Sequence, residues 1–429
     1  MRSVKAGLIT GSLLTPLLVV GALFAQAGPA AASTGTASHH QQAVFVAKNA
    51  SSSGSGQSCS SARYSTIQAG LSAAPAWSRV VVCPGTYNEQ VVVSKPVSLV
   101  GLHATINEQG VTPTLVVNVP HIGKLTIFAG LVILSSDVNV QGFTVTNALG
   151  EGILAAGVNG DISHITIQHN AVVHNDLGGG VPPVSTYFEC QAEGQAPGDC
   201  GEGVHFIAVA YSWIRGNFIA HNSGGILLTD ETGPTHNNVI ENNLVTRNET
   251  DCGITVPGHN PAALSATGQP QPSVAGVYDN VIAHNVVTYN GLKGDGAGVL
   301  FANASAGTAS YNNLVTGNFI AGNGLSGVTM HAHTIKPGQF ELLSGNKIIG
   351  NVIGKNNIDG DPLDSPASPK DEKTTGVLVF SGGTSVTVVI AHNHILNNFF
   401  GVWLSKPVRA FGLGTNTFHH VVKPISPGH

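Results

Sequence analysis

The sequence predicts an all-β solenoid, a single elongated stack of short strands, and two observations carry that prediction. The first is a repeat. Four times, three asparagines stand five residues apart with aliphatic residues at fixed places between them: Asn238/Asn243/Asn248, Asn280/Asn285/Asn290, Asn313/Asn318/Asn323 and Asn346/Asn351/Asn356. Self-similarity of this kind marks stacked units, each packing only on its neighbours. The second is composition. The 429 residues include 54 Gly, with 10% charged and 6% aromatic residues, so Gly- and Asn-rich turns alternate with short aliphatic runs. That pattern means many short strands and little helix.

Asparagine suits such coils because each corner leaves backbone groups without ladder partners. An inward carboxamide can satisfy them and also bond the asparagine of the next coil, about 4.8 Å away. Asn also tolerates left-handed corners. The repeated asparagines therefore read as frame rather than substrate site.

Taken in order, the chain opens with Met1-Arg-Ser-Val-Lys5, an apolar run from Ala6 to Ala25, and small residues to Ala32. This reads as a secretory signal peptide over 1–32. Gly11, Pro16 and Gly21 interrupt the run and argue against a retained anchor, and no other segment is apolar enough to span a bilayer. Residues 33–58 read as a flexible Ser/Thr/Gly linker containing a short Val44–Val46 strand. Order is expected from Cys59 to His420, with a tail over 421–429. Thr66–Ala74 has apolar residues at helical spacing behind a Ser/Thr cap and predicts one short capping helix. Strands follow at Arg79–Cys83, Gln90–Val93, Val97–Val100, Leu115–Val117, Leu125–Phe128, Leu131–Leu134 and Phe143–Val145. Asn170/Asn175, Asn217/Asn222 and Asn393/Asn398 extend the repeat at both ends. Insertions break the period at about 181–202, 259–275 and 360–374.

Three segments carry a resemblance. Thr66-Ile-Gln, then Val82-Cys83-Pro-Gly-Thr-Tyr87-Asn-Glu89, then Lys95-Pro-Val-Ser-Leu-Val-Gly101 resemble the opening of right-handed parallel β-helix proteins of the pectate-lyase-like superfamily. These include pectin-methylesterase-like enzymes and NosD-like periplasmic proteins. The resemblance implies a right-handed parallel β-helix and, for its enzyme members, a sugar chain laid along the outer face. It does not transfer residue by residue: the Asp-Phe-Ile-Phe-Gly segment of pectin esterases and the Asp-Asp and Gly-His-Gly of polygalacturonases have no counterpart here.

Aligning the coils on the glycine after the last asparagine gives a register. Gly225, Gly253, Gly298, Gly327, Gly376 and Gly401 form one column, with Gly203 preceding it. Strand alternation then places Ile226, Ile254, Val299, Val328, Val377 and Val402 inward. The outward row is His205, Leu227, Thr255, Leu300, Thr329, Leu378 and Trp403. Two steps on come Thr229, Pro257, Ala302, His331 and Phe380, then Glu231, His259, Ala304 and His333. The candidate catalytic group is therefore Asp230, Glu231, His259, His331 and His333: acids beside imidazoles, suited to general acid–base work. His259, His331 and His333 are also candidate ligands for a divalent metal ion. Asp251, Lys293 and Asp295 fall at the other end of the strand and read as turn decoration, with Lys293 a minor candidate base. Trp403 and Phe380 are candidate sugar-stacking rings.

Five cysteines suggest an oxidising compartment, with Cys59–Cys83 and Cys190–Cys200 as disulfides and Cys252 a buried thiol. A formal charge of −5 with 18 Lys+Arg leaves no basic stripe for nucleic acid. Asn49, Asn248 and Asn303 fit the glycosylation pattern. The expected protein is a secreted or cell-envelope monomer that binds an extracellular polysaccharide and, if catalytic, acts as a lyase or glycoside hydrolase. The alternatives are a non-catalytic carbohydrate- or surface-binding scaffold and NosD-like copper handling.

Overall fold

The structure, a computed structural model, describes residues 43–119, 123–176, 201–294, 296–303, 305–332, 339–360, 373–382, 384–405 and 407–427. The signal peptide, the Cys190–Cys200 pair, His333, Asp295, Ala304 and most of the 181–202 and 360–374 insertions lie outside these residues. Residues 41–429 form one compact unit.

One coil illustrates the whole. Thr235–His236, Val239–Glu241, Leu244–Thr246 and Ile254–Gly258 are four short strands, with Asn238, Asn243 and Asn248 at the corners between them. Each strand pairs in parallel with its equivalent in the next coil, as Ile240 does with Ile282 and Val245 with Val287. Among the described residues this stacking produces sheets of 21, 11 and five strands. Aliphatic side chains at alternate positions fill the lumen. Ile226, Ile254, Val299, Val328, Val377 and Val402 are each fully buried in one row, as the register requires.

Three asparagine ladders run along the stack. The longest joins Asn170, Asn217, Asn243, Asn285, Asn318, Asn351, Asn393 and Asn416, each Nδ2 donating to the next Oδ1 at 2.9–3.2 Å. Each Oδ1 also accepts the backbone N–H of the preceding asparagine, as Asn285 does from Asn243 at 3.0 Å. The left-handed corner residue is not the ladder asparagine but the one before it. His169, His174, His221, His284 and His392 occupy that place with φ of 55–59°. Among the described residues eight histidines have positive φ, so much of the histidine content is corner chemistry, where Asn, Asp and His are enriched.

The aligned glycines have a steric cause. A Cβ on Gly253 would meet Val287 Cγ1 at 2.3 Å and the ladder Asn290 Nδ2 at 2.8 Å. Only a residue without a side chain can leave the ladder and enter the next strand there.

The capping helix spans Ile67–Ala73, with the Thr66 side chain accepting from Ala69 N–H. The Glu89 carboxylate also accepts from the N–H groups of Ile67 and Gln68. Cys59 and Cys83 are disulfide-bonded. Three expectations need correction. Ala43–Val46 is a strand paired with Ser78–Val82, so the sheet takes up part of the expected linker. Lys423–Pro427 pairs with Phe400–Leu404, so the expected tail is an edge strand. Val116–Val119 and Gly123–Thr126 form an antiparallel pair rather than coil strands. Burial also removes Asn248 and Asn303 as glycan acceptors, while Asn49 is exposed.

Candidate functional site

Glu151–Ala156, Glu202–Ile207, Gly224–Thr229 and Ile254–Gly258 lie side by side in the 11-stranded sheet. The register is Ile153–Val204–Ile226–Ile254 on the lumen side and Leu154–His205–Leu227–Thr255 on the outer side. The outer row is itself covered: His205 is 0% exposed and Thr255 6%. This face is therefore not an open polar rim.

Across these coils runs a chain of polar contacts. Glu151 Oε1 lies 2.9 Å from His205 Nδ1, and His205 Nε2 lies 2.9 Å from Thr229 Oγ1. The Thr229 hydroxyl donates to Glu231 Oε2, and Glu231 Oε1 lies 2.7 Å from His259 Nδ1. Burial alone would raise the Glu231 pKa, but the His259 and Thr229 hydrogen bonds and the neighbouring imidazoles outweigh it and hold the group below the usual carboxylate range. An ionised Glu231 can only accept, so His259 donates to it from Nδ1.

The structure gives Asp230 a different task from its neighbour. Its Oδ1 accepts from the N–H of His259 at 2.7 Å and of Asn260 at 3.1 Å, and its Oδ2 from Gly276 at 2.6 Å. One carboxyl group thus fastens both ends of the 259–275 insertion. Burial pushes its pKa up to about 7, against the pull of the two amides. With both oxygens committed to backbone, Asp230 positions His259 rather than exchanging protons with a substrate.

The remaining candidates separate. Glu231 and His259 meet as the register requires. His331 faces Ala302 and Phe380 across its strand, is 3% exposed, and its ring lies 5.3 Å from that of Phe380. Since Pro257 also pairs with Ala302, His331 sits two coils from the His259 coil, roughly 9–10 Å away. Phe380 is 1% exposed and offers no face to a sugar; Trp403 stacks on Phe400 at 4.6 Å. Lys293 pairs with Glu249 at 2.7 Å on the surface. Cys252 is a buried thiol accepting from Ala297 N–H.

Sequence reasoning missed the other end of the chain of contacts. Glu151 and Glu202 are 0% and 1% exposed and stand in adjacent coils, each immediately before an aligned glycine. Gly152 and Gly203 are pressed against ladder asparagines, where a Cβ would come within 2.8–2.9 Å of Asn175 or Asn222 Nδ2. Asp251, expected as turn decoration, is buried beside them. A Cβ on Gly224 would lie 3.2 Å from Glu202 Oε1 and 3.3 Å from Asp251 Oδ2. Burial, then the charges of Glu151 and Asp251, push the Glu202 pKa well up; burial and Glu151 raise Asp176 to about 8. The available signal was the Glu-Gly pair recurring in two successive coils.

Residues 127–336 match the family model described as "Right handed beta helix region". The chain folds as a right-handed parallel β-helix. Among curated proteins none matches. Among solved structures, the β-helix is similar to an alginate lyase from Paenibacillus sp. str. FPU-7, at 14% identity and TM-score 0.47, covering 88% of this chain and 98% of that one. It is also similar to the pectate lyase Pel9A, at 16% identity and TM-score 0.44, covering 81% and 77%. The Streptococcus pneumoniae surface protein and adhesin PfbA is similar at 12% identity and TM-score 0.45, covering 82% and 91%.

Proposed function

We propose that this β-helix protein acts outside the cell or in its envelope, binding an extended polysaccharide beside the 11-stranded sheet, with Glu231 and His259 as its proton-transferring pair. The observation that carries the reading is the 2.7 Å contact between Glu231 and His259, held at both ends. Thr229 fixes the second Glu231 oxygen, and Asp230 fixes the His259 backbone. A carboxylate held ionised against one imidazole nitrogen makes the other a base at neutral pH. The Cys59–Cys83 disulfide supports an oxidising compartment.

The test is a panel of acidic and neutral polysaccharides, followed by ultraviolet absorbance for unsaturated products and by reducing ends. Proton abstraction from a ring carbon gives the first signal with the second; hydrolysis gives the second alone. Replacing His259 with Ala or Glu231 with Gln should lower the rate by about 10²–10⁴-fold. Full activity in both variants overturns the assignment.

One observation favours a second reading. The His259 and Glu231 side chains are only 5% and 9% exposed. A non-catalytic scaffold that binds carbohydrate through its surface, with this pair as internal bracing, predicts retention on a polysaccharide gel without turnover.

A further inference from the structure

We propose that Glu151, Glu202 and His205 form a buried binding site for one divalent transition-metal ion of the zinc class. The site lies at the other end of the polar chain from the Glu231–His259 pair and does not require that pair to be catalytic. One donor atom from each residue lies within 4.8 Å of the others. A tetrahedral ion with ligand distances of about 2.0–2.2 Å has ligand-to-ligand edges of roughly 3.4 Å, so the closure required is small.

Three observations point to a cation rather than to packing. First, neither oxygen of Glu202 nor Oε2 of Glu151 meets a side-chain donor from lysine, arginine or a hydroxyl; the two nearly fully buried carboxyl groups face each other instead. A buried carboxylate left in this state is costly unless a proton or a cation meets it. Among the described residues the ion pair at these two glutamates is with His205, not with lysine or arginine. Second, the polar chain runs in one direction. Glu231 accepts from Thr229, so the Thr229 oxygen accepts from His205 Nε2–H, which leaves the Nδ1 lone pair of a neutral His205 facing Glu151 Oε1 at 2.9 Å. Two lone pairs facing each other require a proton or a cation between them. A metal-bound imidazole characteristically donates its other N–H to a fixed acceptor, and Thr229 supplies one. Third, the space over Gly224, where a Cβ would crowd Glu202 and Asp251, places a further carboxylate at the edge of the site. One nitrogen among carboxylate oxygens, with no thiolate in the set, suits zinc-class ions better than Cu(I) or Ca²⁺.

The experiment uses the full mature chain, stripped with chelator, dialysed, then titrated with ZnCl₂. Bound metal is counted by elemental analysis and stability is followed by melting. The expected result is one zinc per chain above that held by E202Q, with a rise in melting temperature absent from E202Q. Thr229→Val, acting only by positioning His205, should weaken binding by about 10–100-fold. His205→Ala should weaken it at least as much; if that variant does not fold, the isosteric E202Q carries the test. His259→Ala should keep full uptake, which separates failure of this site from failure of the proton-transfer reading. Equal zinc uptake by E202Q overturns the proposal. So does a metal-free wild type that E202Q simply stabilises, because a shared proton then fills the place. Calcium binding unaffected by His205→Ala overturns the imidazole ligation.

Discussion

Truncating Asn285 to Ala tests whether the ladders hold the coils or merely decorate them. Asn285 sits mid-stack. Its Oδ1 accepts the Asn243 backbone N–H and the Asn243 Nδ2, both at 3.0 Å, while its Nδ2 donates to Ile240 O at 2.9 Å and Asn318 Oδ1 at 3.0 Å. Asn318 Oδ1 keeps the Asn285 backbone N–H at 2.8 Å, so it is not orphaned. The Asn243 backbone N–H loses its acceptor, as does one of its two side-chain protons; the other stays on Ile214 O. At about 1–3 kcal/mol for each buried donor left without a partner, the expected loss is about 2–6 kcal/mol. That is a large share of the roughly 5–15 kcal/mol that holds a typical folded chain. Repeat arrays can unfold in parts, so urea denaturation should be joined to hydrogen exchange at the Asn243 amide. Protection there should fall along with global stability. A loss below about 1 kcal/mol with Asn243 still protected would falsify the claim that the ladder is the frame.

The other predictions concern single groups. Asp230→Asn places a donor opposite backbone N–H groups at both ends of the 259–275 insertion, so limited proteolysis should cut there first; an unchanged cleavage pattern defeats the fastening role. Burial pushes Glu108 up to about 7. The folded chain then holds this proton from about pH 4 to 7 while the unfolded chain releases it, so the stability it contributes is complete below about pH 4 and is lost as pH rises through 7. At about 1.4 kcal/mol per unit, the loss is roughly 3 kcal/mol across that window. The melting temperature of the metal-free chain should be higher at pH 5 than at pH 8, and an equal or reversed order refutes the burial argument. Replacing Cys59 and Cys83 with Ser opens a loop with a sequence separation of 24 and should cost about 3 kcal/mol by chain entropy, read as a lower denaturation midpoint.

Much of the frame was legible because its physics is local and periodic. A carboxamide every five residues and a glycine that must clear it recur in each coil, so the register of Ile226 with Ile254 and Val299 could be drawn before any coordinates. The Glu231–His259 contact followed from that register and one strand spacing. What could not be read was which outer residues are covered. Alternation assigns a side chain to a face, but coverage depends on what packs over the face, and His205 and Thr255 are buried on the nominally outer side. The abundance of histidine is no guide to a site for a related reason. A corner with φ near 57° favours it, so His284 and His392 report backbone shape rather than chemistry. Glu151 and Glu202 were passed over because they precede the strand's aligned glycine, where a turn residue is the ordinary expectation.

Successive asparagines of the longest ladder are separated in the sequence by 47, 26, 42, 33, 33, 42 and 23 residues, yet every rung closes at 2.9–3.2 Å. Within a coil, by contrast, Asn238, Asn243 and Asn248 keep a fixed spacing. The variation in length therefore falls outside the ladder corners, as with the 259–275 segment that follows Ile254–Gly258 at the flank of the 11-stranded sheet. The scaffold behaves as a chassis with one permissive side. Loops could be lengthened, exchanged or grafted around Glu151, His205 and His259 without re-threading a single rung, which makes that side the natural place to install a new specificity by design.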